Sequence, residues 1–313
     1  MHYIDAAYDG FFFEDALNVT RQIVGYTKPD FWYVDSENFC PWQVWLANVG
    51  VSKNAASRRQ PGEDDASLAY RISKEFMTRY NGTVNEASNG ATTVGFFGAS
   101  SKWEFFPWSI MQELGQLSQP GWYGQHNTRN LQQTANQIAS EKRAVGHGPG
   151  ANRIVPWLST GTGGPISPTS CFDELIHMFL NGASGFSYYA DTDFTDMEYY
   201  LRIAEAMRTL VPFEDLIVDG ELAGGGVTAQ VNCVVSAMGL AGEFLIGVTP
   251  LDPTKVVGFT FNGNATGTHT LTEAATGKLV TTVTGGEVAF KATLASTGVY
   301  RFAPSTVDDV AGN

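Results

Sequence analysis

Up to Leu210, the hydrophobic residues alternate between strand-like runs and segments with helical spacing. The predicted strands cover residues 2–10, 31–37, 92–99, 120–124, 153–159 and 185–190. The predicted helices cover residues 14–24, 66–80, 108–117, 128–143, 171–180 and 197–210. Strands and helices in regular alternation are typical of an α/β protein with a parallel sheet.

The number of strand–helix units falls two short of a closed (β/α)8 barrel. One alternative is an open doubly wound sheet, but no glycine-rich phosphate-binding sequence follows any predicted strand. We favour a (β/α)8-type barrel that lacks its first two βα units in this chain, with an amino-terminal part missing. Natural proteins avoid an unpaired sheet edge. We therefore expect a second chain, a symmetry mate or the tryptophan-rich loop 41–45 to cover it.

The pattern changes after residue 215. Short alternating runs rich in Thr, Val and Gly follow one another at hairpin spacing, with turn signals at Asn262-Gly263, Thr276-Gly277 and Gly285-Gly286. This pattern predicts a small antiparallel β-sandwich at 216–304, after a barrel domain at 1–215. The tail 305–313 is predicted to be disordered.

Residues 30–37 read DFWYVDSE, a buried-strand sequence that ends in two acids. Asp35 and Glu37 are two residues apart, so on a strand they point to the same side, with Cα atoms about 6.5–7 Å apart. Such a pair is costly to bury unless it is hydrogen-bonded or shares a proton. The alternative is a solvated turn after a strand. We interpret the pair as a site, because barrel enzymes carry their chemistry where strands open into βα loops.

The D-x-E spacing at the end of a strand resembles that of several retaining sugar-cleaving families, including the family 18 chitinases and the family 25 lysozymes. The longer chitinase signature D-x-x-D-x-D-x-E is matched at Asp30, Asp35 and Glu37 but has Tyr33 at its second acid, and no Met-x-Tyr-Asp sequence follows later. The resemblance therefore implies a glycoside-hydrolase-like barrel of unspecified family. Residues 216–304 resemble the C-terminal β-domain of many barrel glycosidases.

Glycosidic bonds are cleaved by an acid that protonates the leaving oxygen and a second carboxylate that acts as nucleophile or base. Glu37, near Phe39 and Trp42, is the predicted general acid, and apolar neighbours would raise its pKa as this role requires. Asp35 is predicted to orient Glu37, to share its proton or to polarise a substrate acetamido group. Glu104 is the first choice for the second acid.

Other residues at predicted strand ends are candidates for substrate binding. Asp9 and Asp191 are acids in such positions, although each also fits a solvated loop. Aromatic rings can stack on sugars or fill a core. The candidate sugar platforms are Trp45, Trp103, Trp122, Tyr123, Trp157, Tyr188 and Tyr189.

Composition narrows the range of partners. Lys+Arg 19 against Asp+Glu 32 gives a net charge of −13, which would repel a nucleic-acid backbone and is compatible with a neutral carbohydrate. No apolar run is long enough for a membrane span. His126 and His147 lack a partner at metal-binding spacing, so neither a metal nor another cofactor is expected. Sequons such as Asn18-Val-Thr are permissive of secretion.

These observations favour a secreted glycoside hydrolase acting on a polysaccharide or glycan. The alternative from a different class is a non-catalytic carbohydrate-binding barrel protein, which would keep the aromatic platforms and lack turnover. No G-x-S-x-G sequence is present, and Cys40 has no obvious histidine partner, so acyl-transfer chemistry is disfavoured.

Overall fold

The structure is a computed structural model. It describes residues 7, 10–34, 42–99, 110, 114, 117–122, 128–146, 153–158, 167–188, 197–264 and 266–305. The chain divides into two compact units. The first consists of Met1–Trp122 and Ala144–Trp157, and the second of Tyr123–Arg143 and Leu158–Asn313. The domain boundary predicted at 215/216 stays a prediction.

In the first unit the structure describes four α-helices, three strands and a short 3-10 turn at Val49–Val51. The helices are α1 (Phe11–Thr27), α2 (Trp42–Asn48), α3 (Lys53–Ser57) and α4 (Asp65–Ser88). The strands are β1 (Phe31–Val34), β2 (Thr93–Ala99) and β3 (Leu117–Trp122). Of the strand predicted at 2–10, only Ala7 and Gly10 are among the described residues.

Helix α4 shows how sequence and packing together set the bounds of an element. The Asp64 carboxylate accepts a hydrogen bond from the Ser67 backbone N–H (2.7 Å) and caps the amino end. Asn89, in the left-handed conformation with φ 54°, follows the last helical residue. The prediction that this helix ends at Tyr80 was wrong, because α4 continues through Asn81-Gly82 to Ser88. Val84 and Ser88, which follow the glycine, are both buried, so the packed face of the helix continues past it.

The predicted parallel sheet is confirmed for the strands whose pairing is described. Val34 of β1 pairs with Phe96 of β2, and Ala99 of β2 pairs with Gly121 of β3, both in parallel register. The strand order is β1-β2-β3-β4-β5, where β4 is Trp157–Leu158 and β5 is Ser187–Tyr188. That this sheet belongs to a (β/α)8-type barrel lacking its first two βα units stays a prediction.

Four described helices follow β3 along the chain. They are α5 (Thr128–Val145), α6 (Pro168–Phe179), α7 (Met197–Leu210) and α8 (Glu214–Asp219). The bounds of α7 match the prediction. Of the helix predicted at 108–117, only Ile110 and Leu114 have a described helical backbone before the start of β3. Helix α8 corrects the expectation that helical structure ends before residue 216.

The antiparallel strands predicted for the carboxyl-terminal part are present. They are β6 (Glu221–Leu222), β7 (Val227–Val231), β8 (Cys233–Leu240), β9 (Glu243–Pro250), β10 (Val256–Asn262), β11 (Thr268–Glu273), β12 (Leu279–Thr284), β13 (Glu287–Thr293) and β14 (Gly298–Pro304). They form sheets with the orders β13-β10-β7 and β12-β11-β14-β9-β8-β6. Residues from both sheets share one apolar core, including Ile246, Phe261 and Phe302. The predicted tail lies outside the described residues beyond Ser305.

Among the described helices, none is long and apolar enough to cross a membrane. The described thiols, Cys171 and Cys233, are both buried.

Candidate functional site

The carboxyl ends of β1 and β2 define the candidate site. Because the two strands are parallel, their carboxyl ends lie at the same edge of the sheet. Val34, the last residue of β1, directly precedes Asp35 in the sequence. Ala99, the last residue of β2, precedes the segment that contains Glu104. The two strands that precede these acids in the sequence therefore end at one edge of the sheet.

Strand β1 is held in place at its start and through its central tryptophan. The Thr93 backbone N–H donates to Asp30 O (2.9 Å), and the Thr92 hydroxyl donates to Pro29 O (2.6 Å). The Trp32 indole Nε1 donates to the Tyr80 hydroxyl of α4 (3.0 Å). These bonds tie β1 and the residues just before it to β2 and α4.

A network of charged side chains braces the connection that leads from β1 to α4. Arg71 donates two hydrogen bonds to Glu63, each of 2.8 Å, and one of 2.9 Å to Glu75. Arg58 forms an ion pair with Glu75 and donates to the Ala7 carbonyl (3.2 Å). The hydrogen bonds from Arg71 lower the pKa of Glu63 to about 2. Because these charges pair with one another, we assign them a structural role.

Most of the predicted site residues lie outside the described part of the chain. These are the catalytic candidates Asp35, Glu37 and Glu104 and the binding candidates Asp9, Trp103, Tyr123, Tyr189 and Asp191. The backbones of Trp122, Trp157 and Tyr188 lie in β3, β4 and β5, while their side chains are outside what is described. Their roles stay predictions.

Trp45 is the one predicted sugar platform whose side chain is described, and it lies in the core. The segment predicted as a tryptophan-rich loop is helix α2, and Trp45 is only 4% exposed. It packs with Val49 and Leu68 in an apolar cluster, and its Nε1 lies 3.4 Å from the Ala69 carbonyl oxygen. A ring buried in this way presents no face to a sugar, which corrects the prediction for this residue.

A buried polar cluster joins α6 to the larger sheet of the sandwich. We call it the His177 cluster, and its members are Asp173, His177, Asn181, Ser236, Thr249 and Thr297. His177 is fully buried, with Nδ1 2.7 Å from Ser236 Oγ and Nε2 2.9 Å from Thr249 Oγ1. Asn181 Nδ2 donates to Ser236 Oγ (2.7 Å). Sequence analysis missed this cluster, because Ser236 and Thr249 lie 59 and 72 residues from His177.

The hydrogen bonds of the His177 cluster assign the proton on its imidazole. The Thr297 hydroxyl donates to the Asp173 carboxylate. The hydroxyl oxygens of Thr249 and Thr297 are 2.5 Å apart and therefore hydrogen-bonded to each other. Because the hydroxyl proton of Thr297 is already donated to Asp173, Thr249 is the donor in this bond. Thr249 therefore accepts from Nε2 of His177. Neutral His177 carries its proton there, and Nδ1 accepts from Ser236.

Burial changes the protonation of the two titratable members of the cluster. It lowers the pKa of His177 to about 3, so the imidazole is neutral at physiological pH. It raises the pKa of Asp173 to about 6. Within the part of the chain that the structure covers, no three His, Cys, Asp or Glu side chains are grouped to hold a metal ion. The cluster joins α6 to the larger sheet of the sandwich.

Comparison with known proteins identifies the class of fold. No family model matches the chain, and no curated protein matches it. Solved glycoside hydrolases do match in structure, and the fold is glycosidase-like.

Three solved structures illustrate the likeness. A family 27 β-L-arabinopyranosidase from Geobacillus stearothermophilus has a TM-score of 0.58 and 10% identity, over 94% of this chain and 63% of that one. An Anoxybacillus α-amylase has a TM-score of 0.51 and 11% identity, over 94% and 63%. An α-amylase from Geobacillus thermoleovorans has a TM-score of 0.52 and 12% identity, over 94% and 64%. At these identities the likeness shows the fold alone, and the chain spans less than two thirds of each of these proteins.

Proposed function

We propose that this protein is a glycoside hydrolase that cleaves O-glycosidic bonds of a polysaccharide or glycan. The observation that carries the proposal is the parallel pairing of β1 with β2, because Asp35 and Glu37 follow β1 in the sequence and Glu104 follows β2. The glycosidase-like fold supports the same class of activity.

The proposed mechanism uses two carboxyl groups. Glu37 protonates the oxygen of the leaving sugar. Glu104 either attacks the anomeric carbon as nucleophile, forming a glycosyl-enzyme that water hydrolyses with Glu37 now acting as base, or it acts as base on the water that attacks this carbon directly. Asp35, two residues from Glu37, holds the acid in position by sharing a hydrogen-bonded proton, or polarises an acetamido group of the substrate. No metal or cofactor takes part in this scheme.

The proposed substrate cleft is built at the mouth of a (β/α)8-type barrel. Its aromatic walls come from Trp103, Trp122, Trp157 and Tyr188, whose rings stack on the apolar faces of sugars. Asp9 and Asp191 add hydrogen bonds to sugar hydroxyl groups.

Strand β1, first in the described strand order, is the proposed contact with a second chain or a symmetry mate. Phe31 is 54% exposed, and Tyr33 is 41% exposed. Their rings stack with centroids 6.3 Å apart, which gives β1 an apolar surface beside its edge. Secretion is proposed as the location that suits an activity on extracellular glycans.

The proposal is tested by turnover on a panel of glycans, measured as new reducing ends. We expect the wild-type chain to release them and Glu37→Gln to lower the rate by on the order of 10²–10⁴-fold, because the amide cannot donate a proton to the leaving oxygen. Glu86→Gln, on the exposed side of α4, is the matched control and should keep the wild-type rate.

Two results would contradict the proposal. Full activity of the Glu37→Gln protein would remove Glu37 as the acid. Binding of glycans by the wild-type chain without any reducing ends would leave the non-catalytic carbohydrate-binding protein as the explanation.

A further inference from the structure

A cavity of about 660 Å³ lies at one end of the β-sandwich, entirely within the second unit. Its walls come from β6, the turn between β8 and β9, the end of β10 and the 3-10 turn Gly224–Gly226. The half-buried Phe244 and the buried Phe261 line it, with ring centroids 5.1 Å apart. This volume is in the range of small-molecule binding sites, which is about 300–1,000 Å³.

Two glycines let the backbone approach the ring of Phe244. A Cβ on Gly239 would lie 2.5 Å from Cδ1 of the ring, and a Cβ on Gly263 would lie 2.6 Å from Cε2. Both glycines line the cavity together with the ring. Any side chain at either position would displace the ring, so the two glycines preserve an aromatic group between two stretches of backbone.

The polar groups of the cavity define the charge of its ligand. The described residues that line it include the acids Asp219 and Glu221, the amide-bearing Asn264 and the hydroxyl-bearing Thr228, and none of them is Lys, Arg or His. Two acids without a basic residue repel phosphates and other anions. Carboxylate, amide and hydroxyl groups around one aromatic ring suit a polyhydroxylated, uncharged molecule.

We propose that this cavity is a second, non-catalytic binding site for a neutral carbohydrate. The cavity lies in the sandwich, where the sequence places none of the candidate catalytic acids. Its ligand class rests on the proposed function, since a chain that cleaves a glycan benefits from a second site that holds the same polymer. Holding the polymer raises its effective concentration at the site of cleavage.

Gly225 provides a way to fill the cavity without disturbing its walls. It lines the cavity, and a Cβ added there meets no atom within 4 Å. Gly224 is the matched control, because its Cβ position is equally open but it does not line the cavity. Both residues belong to the same 3-10 turn, so the two variants carry the same change of backbone propensity.

The experiment uses the full chain and neutral malto-, xylo-, cello- and chito-oligosaccharides, with binding measured by titration calorimetry in the Glu37→Gln background to prevent turnover. We expect Gly225→Leu to weaken the binding of at least one of these sugars by about tenfold or more and Gly224→Leu to leave it unchanged. If Gly225→Leu does not fold, Thr228→Ala replaces it, with an expected weakening of about two- to tenfold from the loss of one hydroxyl group.

The inference is overturned if no neutral oligosaccharide binds, or if the Gly225→Leu and Gly224→Leu proteins bind equally well. In the otherwise wild-type chain, Gly225→Leu should leave the hydrolysis of a short soluble glycoside unchanged. The two proposals therefore fail separately. Loss of the sugar-binding difference refutes the cavity, while unchanged turnover in Glu37→Gln refutes the catalytic assignment.

Discussion

Replacement of Asp173 by asparagine tests the physical account of the His177 cluster. Asp173 is only 6% exposed, and its burial raises the pKa of the carboxyl group from 3.8 to about 6. Above pH 6 the folded protein therefore holds a buried carboxylate, whose charge is costly to remove from water. In Asp173→Asn the amide oxygen still accepts the hydrogen bond from Thr297, so the variant removes the charge and preserves the contact.

The sign and size of the effect follow from linkage. Between pH 3.8 and 6 the folded protein keeps a proton on Asp173 that the unfolded chain releases, so the free energy of unfolding falls as the pH rises through this window. Asp173→Asn has no carboxyl group at this position, so its free energy of unfolding does not decrease in this way. The free energy of unfolding of the variant should therefore be higher than that of the wild type, by about 1 kcal/mol at pH 4.5 and about 3 kcal/mol at pH 7.5. His177 is present in both proteins, so its titration cancels in the comparison.

Urea unfolding of both proteins between pH 4.5 and 7.5, followed by circular dichroism, measures this difference. Asp215→Asn, at an exposed position on α8, is the control for the loss of one negative charge. A difference between Asp173→Asn and the wild type that does not grow with pH would refute the reasoning, and so would a variant less stable than the wild type at pH 7.5.

Two further predictions concern packing. Phe261→Ala should lower the free energy of unfolding by about 3–5 kcal/mol in urea denaturation, because its ring is fully buried between the sheets, whereas Val231→Ala at a 65% exposed position should change it by less than about 0.5 kcal/mol. Gly182→Ala should lower the thermal unfolding temperature more than Gly62→Ala. Both glycines have positive φ, but only a Cβ on Gly182 would meet another side chain, 2.5 Å from Cγ of Lys142. Equal shifts would contradict this explanation.

Elements with a local cause were predictable from the sequence. Helix α7 has the predicted bounds because its apolar periodicity is uninterrupted. The β11–β12 hairpin turns at Gly277, a residue that accepts the left-handed backbone conformation found there. The parallel pairing of β1 with β2 follows from the alternation of strands and helices. The sequence alone also determined the acidic charge and the D-x-E pair at 35–37.

Tertiary structure decided what depends on residues distant in sequence. Helix α4 continues through Asn81-Gly82, a sequence that locally favours the end of a helix, because burial of the helix face outweighs the low helix propensity of one glycine. Packing also made residues 42–48 a helix and buried the ring of Trp45, which is part of that helix, in the core. It also brought His177 to Ser236 and Thr249, a set of partners that no local pattern reveals.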